Sequence, residues 1–285
     1  MNEKQIYYSH AKLNLGLQIL NKRADGYHNL HSLFVELDLA DELNFFPSAR
    51  FKLTAEGKGS ADLPLDGCNL ITKSYKLIKS NIQSVPTEYS IHLKKKIPLG
   101  SGLGGGSSNA ATTLKALNKL WELNFSLKKL ETFGAKLGAD VPFFIRGGFQ
   151  LAEGIGEILT PQDGSVLQGV HFLLVFPLLH ISTAKAYRLL NKSLCPVGSH
   201  SKFSPVSKPV NWQLFDNNFV KVIRKTYPEI DDITENLQGA GALFADLSGS
   251  GSTVFGIFDN LKAAELARGN FPGYQTLLTS PVFHL

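Results

Sequence analysis

Apolar and polar residues alternate along the first part of the chain. In residues 11–19 every odd position is apolar and every even position is polar or glycine. This is the period of an antiparallel β-strand with one buried face. The same alternation returns in residues 33–39, and residues 90–97 form a further short strand candidate. The first hundred residues are therefore predicted to contribute mainly strands.

The period changes after residue 107. Apolar residues then follow the spacing i, i+4, i+7, i+11, at Ala110, Leu114, Leu117 and Trp121. This spacing predicts an amphipathic helix over residues 108–123. A second helix is expected to begin after Ser126, a good N-cap residue, and to end near Gly138.

Strands and helices are mixed in the second half of the chain. A helix is expected from about residue 182, with Ser182 or Thr183 as its cap, and residues 193–212 are predicted to be a loop because they are rich in Ser, Pro and Lys. Strands are expected at residues 149–159, residues 171–179 and the end of the chain, and a short helix at residues 260–270. Without a strict βαβ rhythm, an α+β fold is predicted. We place a domain boundary near residue 160, giving domains 1–160 and 161–285.

Composition narrows the class of protein. The 285 residues are 43% hydrophobic and carry a formal charge of +5. The arginines stand singly and only Lys94–Lys96 forms a basic run, which favours a small anionic ligand over a nucleic-acid surface. Cys68 and Cys195 are far apart and lack metal-ligand spacing, which indicates a reducing compartment. No apolar run reaches the length of a signal peptide core or a membrane span, so a cytoplasmic protein is expected.

A glycine cluster follows the basic run. Five of the seven residues from Gly100 to Gly106 are glycine. Three interpretations compete: a flexible hinge, a dinucleotide fingerprint matching Gly100, Gly102 and Gly105, and a phosphate cradle. A dinucleotide loop should follow a buried parallel strand, whereas three lysines and a proline precede this one. Bare backbone N–H groups and the positive end of a following helix can wrap phosphate oxygens, which favours the cradle.

Three motifs resemble those of the GHMP kinases. The sequence PLGSGLGGGSSNAA is similar to the family's phosphate-binding motif, AKLNLGLQI to its first motif and LSGSGSTVFGIF to its third. The resemblance implies a two-domain α+β kinase with its active site in a cleft between an N-terminal ATP-binding domain and a C-terminal substrate domain. It also implies a set of residues that bind ATP, the first two of them near the adenine. These are Asn69, Lys95, Pro98, Leu99, Gly100, Ser101, Gly102, Leu103, Gly104, Gly105, Gly106, Ser107 and Ser108.

A second segment resembles the members of the family that act on a cytidine diphosphate alcohol, 4-diphosphocytidyl-2-C-methyl-D-erythritol. In these kinases an Asp-Gly-Tyr-His segment after the first strand holds the cytosine, and DGYH occupies that place here. The likeness implies that Tyr27 and Tyr187 stack on the base while His28 binds its edge. Without it, DGYH could be an ordinary turn and Tyr187 a core residue. The implied substrate-binding residues are Asn14, Tyr27, His28, Thr183, Tyr187, Ser248, Gly249 and Ser250.

The implied catalytic pair is Lys12 and Asp140. From its position alone Asp140 is a candidate helix N-cap, with Pro142 in the first turn. The resemblance makes it the base that accepts the proton of the substrate hydroxyl, with Lys12 beside it. An ionised aspartate is suited to that role at neutral pH.

The implied reaction transfers the γ-phosphoryl group of ATP to the 2-hydroxyl of the cytidine substrate, a step of the non-mevalonate isoprenoid precursor pathway. Mg²⁺ is expected, with Ser108 as a candidate contact, and a monomer or weak homodimer is expected. The alternatives are another small-alcohol kinase of the homoserine or mevalonate type, a nucleotide-binding module without chemistry, and a hydride-transferring oxidoreductase.

Overall fold

The structure, a computed structural model, describes residues 4–190, 203 and 206–283. The chain forms two compact units. The first unit comprises Met1–Ala11, Leu39–Leu99 and Gly104–Gly147, and the second comprises Lys12–Asp38, Gly100–Leu103 and Gly148–Leu285. The units are not two successive halves, in contrast to the single boundary near residue 160 that the sequence predicted. The reason is that two long N-terminal strands each contribute residues to both units.

Ten strands are described. They are β1 (Gln5–Lys22), β2 (His28–Ser48), β3 (Lys52–Gly57), β4 (Glu88–Lys95), β5 (Phe149–Glu153), β6 (Ile158–Pro161), β7 (His171–Phe176), β8 (Phe244–Leu247), β9 (Val254–Phe258) and β10 (Gln275–Thr279).

Eight α-helices are described. They are α1 (Leu70–Lys79), α2 (Gly105–Leu120), α3 (Leu127–Leu137), α4 (Val141–Arg146), α5 (Thr183–Leu190), α6 (Val220–Thr226), α7 (Glu229–Gly239) and α8 (Leu261–Arg268).

In the first unit a small sheet is combined with α1–α4. The C-terminal part of β2 pairs antiparallel with β4, with Glu42 opposite Lys94, and β4 pairs in parallel with β3. Helices α1, α3 and α4 pack against α2, because each has an apolar face to bury. This arrangement fixes the N-terminus of α2 close to the end of β4.

In the second unit β10, β7, β9 and β8 form an antiparallel sheet in that order. Helices α7 and α8 pack on this sheet, and its core includes Leu173, Val175 and Val254. The N-terminal part of β2 pairs with β5, which pairs with β6. The strand β1 pairs with β2.

The α+β prediction is confirmed, and several element boundaries are close to those predicted. Helix α3 begins after Ser126, whose hydroxyl accepts a hydrogen bond from the N–H of Lys129, and ends before Gly138. Ser182, rather than Thr183, supplies the side-chain cap of α5, since its hydroxyl accepts from the N–H of Lys185. Helix α2 begins at Gly105, three residues earlier than predicted.

The prediction that β1 has one buried face is wrong. Lys12 and Asn14, on its polar face, are also buried. Buried polar groups require hydrogen-bond partners, so this face is a place to look for a functional site.

Cys195 and most of the predicted loop at residues 193–212 lie outside the described residues. Among the residues that are described, no helix combines the length and apolar character that crossing a membrane requires.

Candidate active site

The glycine cluster links β4 to α2 by a turn of unusual backbone geometry. Gly100, Gly102 and Gly104 have φ angles of 63°, 80° and 69°, a region that other residues enter only at a cost. Gly104 is the N-cap of α2, and no side chain caps this helix end. The first N–H groups of α2 are therefore available to an anion, with the helix dipole in the favourable sense.

In the second unit, the first half of this loop packs against the turn at residues 248–253. Thr253 donates from its hydroxyl and from its N–H to the carbonyl oxygen of Ser101, over 2.6 and 3.2 Å. The hydroxyl of Ser248 lies 3.4 Å from the carbonyl oxygen of Gly102. The two glycine-rich motifs thus contact each other, with main-chain carbonyl oxygens of the first accepting from hydroxyl and N–H groups of the second.

The polar face of β1 meets the same turn. The N–H of Lys12 donates to the carbonyl oxygen of Leu103, 3.0 Å away, and the N–H of Asn14 donates to the hydroxyl of Ser248, 3.3 Å away. Thr183, the first residue of α5, shares a hydrogen bond of 3.0 Å with Ser250. Several residues that the resemblance implied in phosphate and substrate binding are therefore brought together in the second unit.

Lys12 is held in a defined position. Its side chain is 5% exposed, its ammonium group donates to the Asn14 amide oxygen, and the same group lies 4.4 Å from the centroid of the Phe34 ring. The amide nitrogen of Asn14 in turn donates to Ser32, 3.0 Å away. A cation in such a dry setting acts more strongly on nearby charge than it would in water.

The residues that support the turn at residues 248–253 from behind were not predicted from the sequence. The buried amide of Asn217 donates to the carbonyl oxygens of Leu247 and Gly249, over 2.8 and 2.7 Å. The carboxylate of Asp246 accepts from the N–H groups of Asn217 and Leu247. Burial raises the pKa of Asp246 to about 7. Asparagine and aspartate are common in ordinary turns, so neither residue stands out before the fold is known.

In the first unit, Lys95 is engaged within the protein. Its ammonium lies 2.6 Å from a carboxylate oxygen of Asp41, and both side chains are almost fully buried. Burial lowers the pKa of Lys95, and the neighbouring carboxylate opposes that shift. The ammonium of Lys95 is thus already paired with Asp41, and the expectation that Lys95 lies near the adenine of ATP stays a prediction.

Ser108 does not fit the role of a Mg²⁺ ligand. The residue is 1% exposed, and its hydroxyl accepts a hydrogen bond of 2.8 Å from Ser9. Among the residues described, no three His, Cys, Asp or Glu side chains are grouped so that they could hold a metal. Mg²⁺ commonly keeps much of its coordination on phosphate oxygens and water, so a nucleotide could bring the ion without a protein cage.

Asn69 and Asp140 both stand at helix N-termini, with different side-chain roles. The amide oxygen of Asn69 caps α1 by accepting from the N–H of Ile71, 2.8 Å away, and its amide nitrogen donates to Pro64. Asp140 is the N-cap residue of α4 by position, but its carboxylate forms no capping bond. The predicted capping position is confirmed, whereas the capping bond is not formed.

Two glycines of the first unit, Gly105 and Gly138, show which segments lie next to the start of α2. A Cβ atom added to Gly105 would lie 3.1 Å from the Lys95 ammonium, and one added to Gly138 would lie 4.0 Å from the Ser107 hydroxyl. The start of α2 is thus close to the end of β4 and to the segment that leads into Asp140. Pro98 is half-buried and Gly106 is exposed.

The residues implied in cytosine binding form only part of the expected arrangement. The rings of His28 and Tyr187 stack on each other, with centroids 4.9 Å apart and an interplanar angle of 19°. The ring of Phe219 meets Tyr187 edge-on at 5.0 Å. Tyr27 is 61% exposed. His28 thus covers one face of the Tyr187 ring, and the stacking of a base between Tyr27 and Tyr187 stays a prediction.

Comparison with known proteins gives a consistent picture. The model for the GHMP kinases N terminal domain matches residues 69–148, and the GHMP kinases C terminal model matches residues 206–273. A 4-diphosphocytidyl-2-C-methyl-D-erythritol kinase of Chlorobium luteolum is 38% identical over 288 residues, covering 98% of this chain and 97% of the relative.

Solved structures agree with these matches. The crystal structure of a 4-(cytidine 5'-diphospho)-2C-methyl-D-erythritol kinase aligns with a TM-score of 0.83 and 29% identity, over 98% of this chain and all of that one (100%). A homoserine kinase from Cytophaga hutchinsonii aligns with a TM-score of 0.70 and 21% identity, over 99% of this chain and 96% of the other. The second likeness concerns the fold alone.

Proposed function

The chain belongs to the GHMP kinases, and we propose that it transfers the γ-phosphoryl group of ATP to the 2-hydroxyl group of 4-diphosphocytidyl-2-C-methyl-D-erythritol. The two family models and the curated relative confirm the family resemblance drawn from the three motifs. The observation that carries the choice of substrate is the likeness, over almost the whole chain, to enzymes named for this alcohol. A homoserine or mevalonate kinase would share the fold without that likeness.

The triphosphate of ATP is assigned to the glycine loop. The proposed hydrogen-bond donors to the phosphates are the N–H groups of Gly104, Gly105 and Gly106 at the uncapped N-terminus of α2, with the hydroxyl of Ser107 beside them. Backbone donors at a helix N-terminus suit a polyanion, because the dipole and the unpaired N–H groups act together. The adenine is assigned to the neighbourhood of Asn69 and Lys95, with the ammonium of Lys95 held by the carboxylate of Asp41.

The cytidine end of the alcohol is assigned to His28, Tyr187 and Tyr27. The stacked pair of His28 and Tyr187 offers an aromatic surface, and the exposed ring of Tyr27 is available to close over a base. Stacking on aromatic side chains contributes about 1–3 kcal/mol per base in nucleic-acid complexes. The substrate diphosphate is assigned to the turn at residues 248–250, with Asn14 and Thr183 at its edge.

The chemistry is assigned to Asp140 and Lys12. The substrate 2-hydroxyl oxygen attacks the γ-phosphorus, the bond from that phosphorus to the bridging oxygen breaks, and ADP leaves. Asp140 accepts the hydroxyl proton, and Lys12 stabilises the negative charge in the transition state. Phosphoryl transfer proceeds through a loose transition state, so the protein acts mainly by alignment and charge stabilisation.

Bound Mg²⁺ would neutralise charge on the phosphates of ATP. Since Ser108 does not fit as its ligand, no protein ligand is named for the ion.

A coupled assay of ADP release tests the proposal. The purified protein is offered ATP with the cytidine diphosphate alcohol, with homoserine, with mevalonate, or with no alcohol. We expect rapid ADP release with the cytidine substrate alone. Equal rates of ADP release with homoserine or mevalonate would contradict the substrate assignment. Binding of ATP without turnover on any alcohol would favour a nucleotide-binding module without chemistry.

A further inference from the structure

A buried carboxylate lies where the glycine loop leaves β4. Asp41, in the middle of β2, is 0% exposed. One of its carboxylate oxygens accepts hydrogen bonds from the N–H groups of Lys96 and Ile97, over 2.7 and 2.8 Å. These N–H groups belong to the segment that enters the loop, so the carboxylate fixes the direction in which the chain leaves the strand.

The other carboxylate oxygen of Asp41 reaches two side chains. It lies 2.6 Å from the ammonium of Lys95 and 3.0 Å from the amide nitrogen of Asn109. Asn109 stands in the second turn of α2, the helix that leaves the loop. A single carboxylate therefore contacts the chain on both sides of the glycine cluster.

The network continues to the first strand. The amide nitrogen of Asn109 also lies 2.9 Å from the hydroxyl of Ser9, which donates to Ser108 over 2.8 Å. The start of α2 is thus joined to β1 and β2 through buried polar contacts. Such contacts are strong when every member has a partner, and costly when one is lost.

Space around the network is tight. A Cβ atom on Gly105 would lie 3.1 Å from both the Lys95 ammonium and the side chain of Ile97. A small displacement of Lys95 would therefore disturb the first residue of α2. The position of that residue determines where the free N–H groups of the helix point.

We propose that Asp41 is a positioning residue for ATP, which holds the two ends of the phosphate loop in register so that the N-terminus of α2 faces the triphosphate. This inference rests on the proposed function, because it assumes that the loop binds ATP. Asp41 does not touch the nucleotide. It acts through the backbone of Lys96 and Ile97 and through the side chains of Lys95 and Asn109.

The substitution Asp41→Asn tests the inference. Asparagine has the same shape and keeps one oxygen for the backbone N–H groups, but its amide nitrogen cannot accept from Lys95 or Asn109. We expect the Kd for ATP, measured by calorimetric titration, to rise by about tenfold or more, since hydrogen bonds to charged groups are among the stronger ones. The KM for the alcohol should change much less.

The matched control is Glu36→Gln. Glu36 is another buried carboxylate of β2, and it accepts a hydrogen bond of 2.7 Å from the N–H of Gly148. This variant should lower the Tm and leave the Kd for ATP unchanged. A general loss of stability is thereby separated from a loss of loop geometry.

A second variant keeps the inference testable if Asp41→Asn does not fold. Asn109→Ala removes one donor and leaves the ion pair of Asp41 with Lys95 intact, and it should raise the Kd for ATP in the same direction by a smaller factor. An unchanged or lower Kd for ATP in Asn109→Ala or in folded Asp41→Asn would overturn the positioning role. If the wild type bound no ATP, the proposed function would fail as well, whereas normal wild-type turnover with unaffected variants would overturn this inference alone.

Discussion

A Cβ atom added to Gly102 would lie 2.8 Å from the carbonyl oxygen of Ser248. The same atom would lie 2.9 Å from the carbonyl oxygen of Gly251. The glycine loop at residues 100–106 and the third motif therefore approach each other so closely that only glycine fits at this point. The contact ties the expected nucleotide-binding segment to the expected substrate-binding segment within one compact unit.

The substitution Gly102→Ala should therefore disrupt both segments. The new methyl group meets two backbone oxygens that cannot turn away, and the φ angle of 80° adds strain of about 1–2 kcal/mol. We expect a lower Tm, because overpacking typically costs about 1–3 kcal/mol of stability. We also expect the KM for ATP to rise by about tenfold or more, because the methyl group displaces the loop. Thermal unfolding and steady-state kinetics measure the two effects.

Gly169→Ala is the matched control for this variant. Gly169 has a φ of 83°, but a Cβ atom there would meet no atom within 4 Å. The control should show the cost of backbone strain without the clash, and its KM for ATP should stay at the wild-type value. Similar KM values for the two variants would contradict the proposed contact.

Asp140→Asn should stop turnover while ATP still binds. Asparagine fills the same space but cannot accept a proton, and loss of a general base typically costs about 10²–10⁴-fold in rate. We expect kcat to fall by this order, with the Kd for ATP unchanged in a calorimetric titration. Asp259→Asn, at an exposed position, should have no effect. A kcat near that of the wild type in Asp140→Asn would remove the proposed base.

His28→Ala should weaken binding of the alcohol far more than binding of ATP. The substitution removes the ring that stacks on Tyr187 and the proposed partner of the cytosine edge, so the KM for the cytidine substrate should rise by about tenfold or more. Steady-state kinetics with each substrate varied in turn measure the difference.

The control for that experiment lies three residues away on the same strand. His31 is also buried, and its ring lies 3.2 Å from the Glu153 carboxylate. His31→Ala should affect stability rather than either KM. Equal increases in the KM for ATP and for the alcohol in His28→Ala would argue against a cytosine site at this residue.

Asp246 should make stability depend on pH. Burial raises its folded pKa to about 7, whereas in the unfolded chain it ionises near pH 4. Between these values the folded state holds a proton that the unfolded state has lost. The contribution of Asp246 to the free energy of unfolding therefore falls as the pH rises from about 4 to 7, and it stays low above that range.

The measurement for Asp246 is the Tm of the wild type and of Asp246→Asn between pH 5 and pH 8. The variant cannot ionise, so its Tm should decline less than that of the wild type over this range. Asp163→Asn serves as control, because hydrogen bonds to Ser165 lower the pKa of Asp163 and keep it ionised throughout. Parallel Tm curves for wild type and Asp246→Asn would show that the buried carboxylate does not titrate in this range.

The parts of the fold that depend on local patterns could be predicted from the sequence. The N-cap at Ser126 and the stop at Gly138 located α3 almost to the residue, and the density of glycine located the loop before α2. The missed features depend on contacts between distant segments. Nothing local distinguishes Asp41 from other acidic residues, and its role follows only when β2, β4 and α2 come together.

The polar face of β1 shows the same limit. Period-two alternation predicts an exposed polar face, yet Lys12 and Asn14 are buried because Ser248, Ser32 and Phe34 cover them. The His28–Tyr187 stack likewise joins two residues that are far apart in the sequence. Tertiary contacts of this kind override local patterns, and they account for the differences between the predicted and observed site.

The most direct test of the central claim is the identity of the product. The protein is incubated with ATP and 4-diphosphocytidyl-2-C-methyl-D-erythritol, and the mixture is followed by phosphorus NMR and mass spectrometry. We predict a new phosphomonoester on the 2-hydroxyl of the alcohol, formed in equal amount to ADP. ATP converted to ADP and free phosphate with the alcohol unchanged, or a phosphoryl group on a different hydroxyl, would contradict the account.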